Sequence, residues 1–327
     1  MAIWRWFSNW AERNVGTAGE PDEIVVKTTR YLRMAMIGLI TGLGVSVLYE
    51  YAKTHPSGGG HCWQESISAY YYTPAQSFFV GALITIGIGM IVLKGSTEIE
   101  DVLLNFAGFF APLVAFVPTA RNDSCGSALT DTADRNLALN IGNNVTALLV
   151  MAGLALLFML YLQLKPNRWP PGQYDPGGRA RLGVISKAGY LLTLALYVVV
   201  WLVFLTKRNW FIDHGHDVAA ITMFGFIFLV VVDNATNLHF THKAEHSQVH
   251  LINRYAYIAI AMVLASLIVL ALKLFGHFAY SIIWIETIMI TLFGVFWVMQ
   301  TFELWSQGVR QPTSRPATDP GPPLRTE

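Results

Sequence analysis

Eight long apolar runs, spread along a chain of 327 residues, constrain this sequence more than any motif in it. A helix of about 20 apolar residues crosses a hydrocarbon core of roughly 30 Å, and inside lipid a helix satisfies its own backbone hydrogen bonds. The runs cover roughly Arg33 to Tyr51, Ala75 to Leu93, Val102 to Thr119, Asn143 to Leu164, Ala188 to Thr206, His216 to Val232, Tyr255 to Gly276 and Ser281 to Gln300. The expected fold is all-α: a polytopic membrane helix bundle of about eight transmembrane helices. Only 13% of residues are charged, against about 25% in a soluble domain. A formal net charge of +1 leaves no basic face for nucleic-acid phosphates.

The chain divides on this pattern into residues 1–30, 31–306 and 307–327. The first segment reads as a cytoplasmic, interfacial amphipathic helix, with Ile3, Trp6, Phe7 and Trp10 on one face and Arg5, Glu12 and Arg13 off it. It lacks the continuous apolar stretch of a signal peptide. The membrane domain falls into two halves, 31–164 and 188–306, whose four helices each would run in the same orientation, as in parallel repeats. The last segment, rich in Pro and polar residues, reads as a disordered cytoplasmic tail. Gly38 and Gly42, spaced as GxxxG, and Pro112 read as packing features.

Lysine and arginine set the orientation, because cytoplasmic loops retain positive charge. With the N-terminus inside, only Lys53, Arg121, Arg135, Lys207, Arg208 and Lys273 of the 22 basic residues fall outside. Both termini are therefore expected in the cytoplasm and the chain in a plasma membrane. The two cysteines, Cys62 and Cys125, then both lie in outer loops. Only one pairing exists, and the outer side permits disulfides.

Helices two, four, six and eight share one outer face at their N-terminal ends, where their polar residues converge. An acidic side chain within a span costs about 2–3 kcal/mol on translocon scales unless it faces a polar interior. Glu286 is such a residue and needs a partner, for which His216, Tyr71, Ser68 and asparagines such as Asn144 are candidates. These five form the expected ligand-binding set; a buried bond clamping two helices is the simpler alternative. His214, His216 and Asp217 invite a metal reading, since imidazole and carboxylate suit zinc or iron. Two histidines so spaced diverge by about 200° on a helix, so the reading requires a non-helical segment. Otherwise Asp213 is a helix cap at a wet N-terminus. His242, His246 and His250 form a second row at i, i+4 spacing, read as an interfacial connector. Asp233, Asn237 and His239 read as ordinary helix-end residues.

Three stretches, SISAYYYTPAQSFFVGALITIGIGMIVLKG, NFAGFFAPLVAFVPT and WIETIMITLFGVFWVMQ, cover about a fifth of the chain. They resemble a family of bacterial multi-pass membrane proteins to which no activity is assigned, so the resemblance implies fold and topology alone. Ceramidase-like zinc hydrolases need a histidine after a serine in an early helix, and here Ser66 is followed four positions on by Tyr70, not His. Three functional classes stay open: a protein binding a lipid, a small amphiphile or a partner protein at a polar outer-leaflet cavity, a membrane-embedded hydrolase, or an accessory subunit. The sequence names no cofactor.

Overall fold

The computed structural model describes residues 21–54, 61–121, 125, 136–164, 184–244, 253–276 and 280–305. Among these residues lie eight α-helices and no strand: α1 (Pro21–Lys53), α2 (Gln76–Val92), α3 (Glu98–Phe116), α4 (Leu137–Leu164), α5 (Val184–Thr206), α6 (Arg208–Ala244), α7 (Arg254–Gly276) and α8 (Ser281–Glu303), with a 3-10 turn at Ser68–Tyr72 before α2. Seven helices are long and apolar enough to cross a membrane, and α2, at Gln76–Val92, is a shorter apolar helix. Each run in the sequence corresponds to one helix, so the polytopic helical fold stands.

Several boundaries move. α1 continues for 33 residues, so the segment placed at 1–30 ends inside a helix, and the amphipathic stretch before residue 21 lies outside the described residues, as do the tail and the residue 245–250 part of the histidine row. α4 begins at Leu137, which carries Asn140, Asn143 and Asn144 onto the helix itself. α5 and α6 are separated by Lys207 alone, and α6 runs unbroken for 37 residues. Asp213 is therefore not a cap, and Asp233 and Asn237 sit in the body of α6 rather than at its end.

Local chemistry explains the start of α3. Thr97 caps it, its Oγ1 accepting the Glu100 amide at 2.9 Å, and Glu98, Glu100 and Asp101 follow in the first turn, where the helix dipole favours negative charge. Deeper in α3, Pro112 has no N–H to offer the carbonyl four residues back, which belongs to Gly108. That carbonyl faces α2: a Cβ built on Gly87 would lie 2.8 Å from Gly108 O and 2.9 Å from Pro112 Cδ. The close helix approach is thus Gly87 on Gly108, where backbone meets backbone. Of the GxxxG pair in α1, Gly42 meets only the tip of Phe78 and Gly38 meets nothing within 4 Å.

Six helices close a ring in the order α1, α2, α3, α6, α7, α8 and back to α1, while α4 and α5 lie outside it against α3. The ring takes helices from both halves of the chain. Its core is aromatic: Phe106 and Phe110 of α3 lie against Phe226 of α6, and Phe296 of α8, in contact with Trp297, which in turn meets Phe293, lies against Tyr255 of α7. The outside is apolar too, with Leu154, Leu157 and Phe158 of α4 and Leu191, Val199 and Leu202 of α5 exposed. An apolar exterior of this extent fits lipid and not water.

Candidate functional site

The buried polar residues collect at the two ends of the bundle. At one end lie the C-terminus of α3, the N-termini of α2, α4, α6 and α8, and the Cys62–Cys125 disulfide, whose Cα atoms are 5.6 Å apart. The bridge joins the segment before the 3-10 turn to the connection following α3. Trp63 next to it stacks on Tyr51 at 3.9 Å between ring centroids, holding the segment to the end of α1.

The Ser68–Tyr72 turn is buried throughout. Glu286 of α8 holds it in place: Oε2 accepts the Ile67 amide at 2.6 Å, and Oε1 accepts the Ser68 hydroxyl at 3.2 Å. The acid in the apolar span therefore has partners, with Ser68 among those expected. His216 has a different one. Its Nδ1 donates to Val117 O at 2.7 Å, which fixes the end of α3. Tyr72 fixes the same connection by donating to Thr119 O at 2.8 Å.

Tyr71 and Asn144 meet elsewhere, in a cleft of about 420 Å³ lined by Tyr71, Gln76, Ser77, Val80, Gly81, Ala115, Phe116 and Asn144. α2 forms one wall, α4 the other, the end of α3 the floor and the 3-10 turn the roof. The cleft exists because α4 packs on α3 and α5 while making at most marginal contact with α2. Tyr71 also hydrogen-bonds the Gln76 side chain, and burial pushes its hydroxyl up from the ordinary value, so it stays protonated. The expected five-residue set thus separates into a brace (Glu286, Ser68), a pin (His216) and two residues of a cleft (Tyr71, Asn144).

The metal reading does not fit this geometry. Residues 213–217 are helical; His214 is exposed and stacked on Trp210 at 5.2 Å, Asp217 is exposed, and His216 is buried against Val117. Among the described residues no three His, Cys, Asp or Glu side chains are grouped to hold a metal ion.

The opposite end carries a cluster absent from the sequence reading. Glu100, Asn234 and Gln300, each 1% exposed, join α3, α6 and α8. Glu100 Oε1 accepts Asn234 Nδ2 and Gln300 Nε2, both at 2.8 Å, and Oε2 accepts the Ser96 amide at 2.5 Å. Gln300 Nε2 also donates to Asn234 Oδ1 at 3.0 Å, and Thr97 donates to Asp233 at 2.7 Å. Around it, Lys94 pairs with Asp101, and Glu303 takes Arg254 at 2.9 Å and the Tyr255 hydroxyl. The available signal was the TEIE box at the start of α3, a Thr and Glu three apart. Asn234 and Gln300 look like polar ends of apolar runs until the fold brings them together.

Fold and site together define a polytopic α-helical membrane protein with a lateral cleft at its disulfide-bearing end and a buried carboxylate–amide lock at the other. Comparison with protein-family models, with curated proteins and with solved structures finds no match.

Proposed function

We propose that this protein binds a lipid or small amphiphile in the cleft between α2 and α4, in the outer half of a bacterial inner membrane. The observation that carries the reading is the lining. Tyr71, Gln76, Ser77 and Asn144 offer hydroxyls and amides, and Val80, Gly81, Ala115 and Phe116 offer apolar surface. Concave sites of a few hundred Å³ with a few polar groups set in apolar walls are the usual form of small-ligand sites. The exposed apolar residues of α4 and α5 support a lipid environment around the cleft.

In this reading both termini are cytoplasmic, in keeping with the basic residues of the α2–α3, α4–α5 and α6–α7 connections, and the disulfide faces the oxidising side. The resemblance to the multi-pass bacterial family of unassigned activity accords with this placement.

Gly81 supplies the test, because it lines the cleft and a Cβ there meets no atom within 4 Å, so a side chain can be introduced at this wall. Lipid extracted from the purified wild type and from Gly81→Phe would be quantified per protein. The expected result is a stoichiometric amphiphile held by the wild type and lost from Gly81→Phe. Equal retention by both proteins overturns the reading.

A further inference from the structure

The chemistry of the cleft also bears on which amphiphile enters it. None of its eight lining residues is charged. Its four polar side chains can each donate and accept hydrogen bonds: the carboxamides of Gln76 and Asn144 and the hydroxyls of Ser77 and Tyr71. That match suits a head made of hydroxyls, which also donate and accept, and esters, which accept. A phosphate diester is an acceptor only and brings a full negative charge, which is costly to desolvate without a cation.

Two arginines at this end of the bundle are engaged outside the cleft. The Arg208 guanidinium donates to Ala138 O at 3.1 Å and lies over the Phe204 ring, and Arg121 lies over the Tyr72 ring. Neither lines the cleft. The N-terminus of α2, which would otherwise attract an anion, is partly closed by the preceding turn. The Gln76 amide donates to Thr73 O at 3.0 Å and the Ala75 amide to Thr73 Oγ1 at 3.2 Å. The Tyr71 hydroxyl, kept protonated by burial, adds no charge at any physiological pH.

Shape points the same way. Ser77 and Gly81 lie one helical turn apart on α2, both are exposed, and nothing stands within 4 Å of a Cβ at Gly81. This strip, facing the gap between α2 and α4, gives an acyl chain a smooth exit into the bilayer while the head remains among Tyr71, Gln76 and Asn144.

From these observations we infer that the ligand class is a neutral-headed glycerolipid, a diacylglycerol or a glycosyl diacylglycerol, rather than a phospholipid. The inference rests on the proposal that the cleft binds an amphiphile at all.

Three probes with the same acyl chains separate the two ideas: dioleoylglycerol, monogalactosyl dioleoylglycerol and dioleoylphosphatidylglycerol. Each is titrated onto delipidated full-length protein and read by native mass spectrometry, for the wild type and for Gly81→Phe, with matched thermal unfolding as the fold control. The expected result is binding of at least one neutral lipid tenfold or more tighter than the phosphatidylglycerol, abolished in Gly81→Phe. Phosphatidylglycerol binding as tightly, and equally sensitive to Gly81→Phe, overturns the neutral-head inference and leaves the amphiphile site standing. Binding that Gly81→Phe leaves unchanged for all three probes overturns both.

Discussion

Replacing Glu100 by leucine should be among the most damaging single substitutions in the chain. The carboxylate accepts three hydrogen bonds, from the Ser96 amide and from the side chains of Asn234 and Gln300. Leucine accepts none. The Asn234 and Gln300 amides are 1% exposed, so water does not readily replace the lost acceptor. A buried donor left unsatisfied costs about 1–3 kcal/mol, and two of them give about 2–6 kcal/mol before the Ser96 amide is counted. The control is Glu98→Leu, one residue from the cap of the same helix on its exposed side, where surface substitutions stay within about 0.5 kcal/mol. If the damage comes from orphaned donors, removing them should reverse it, because replacing every partner by apolar groups is often close to neutral. The triple variant Glu100→Leu, Asn234→Leu, Gln300→Met should therefore be more stable than Glu100→Leu alone. Unfolding in nanodiscs followed by tryptophan fluorescence reads all three. Glu100→Leu within about 1 kcal/mol of Glu98→Leu would refute the reasoning, and a triple variant no better than the single would show that the loss lies elsewhere.

The disulfide spans a sequence separation of 63, for which loop-closure entropy gives about 4 kcal/mol; Cys62→Ser should lower the unfolding temperature, and reductant should bring the wild type down to the same value. At the α2–α3 crossing, Gly108→Ala should cost about 1–3 kcal/mol by overpacking, since its Cβ would lie 2.5 Å from Gly87 O. Gly225→Ala, with nothing within 4 Å, should be neutral or slightly stabilising in the same unfolding assay. Burial pushes the Tyr72 hydroxyl up to about 12, with neighbouring Tyr71 adding to the effect and Arg121 opposing it. A folded-state value above the ordinary 10 means the stabilisation is complete below pH 10 and is lost as the pH rises through 12. Burial also pushes Tyr70 up to about 12, so phenolate absorbance should show one fewer late-titrating group in Tyr72→Phe than in the wild type.

The order in which these features became legible follows their physics. Helix number and type could be read from the chain because hydropathy is summed along a local stretch, and eight runs gave eight helices. Helix ends were less legible. Arg208 to Ile212 fell between the fifth and sixth apolar runs, yet the segment is helical, its charged and aromatic residues being of the kinds found at a membrane interface. The single residue between α5 and α6 left no loop to find. The cysteine pairing could be anticipated because two cysteines allow one bond. Glu286 stood out because an acid inside an apolar run is expensive, and Ser68 stood among its candidate partners. No feature of the chain ranked Ser68 over His216, because the choice depends on which face of α8 meets the turn before α2.

The same limit hid the Glu100 cluster, whose bonded residues Glu100 and Gln300 lie 200 positions apart. Asn234 and Gln300 near the ends of apolar runs look unremarkable one at a time, since polar residues are common where a helix leaves the membrane. Only the closing of α3, α6 and α8 into one ring turns them into a buried network. By itself, then, the sequence determined that the chain is a membrane protein, the eight apolar helices seen among the described residues, and that Glu286 is costly enough to need a partner, because burial in lipid is decided residue by residue along a helix. The tertiary structure alone decided which partners they find and where the wall stays open: contacts between helices depend on crossing positions such as Gly87 on Gly108, and the cleft depends on α4 standing away from α2.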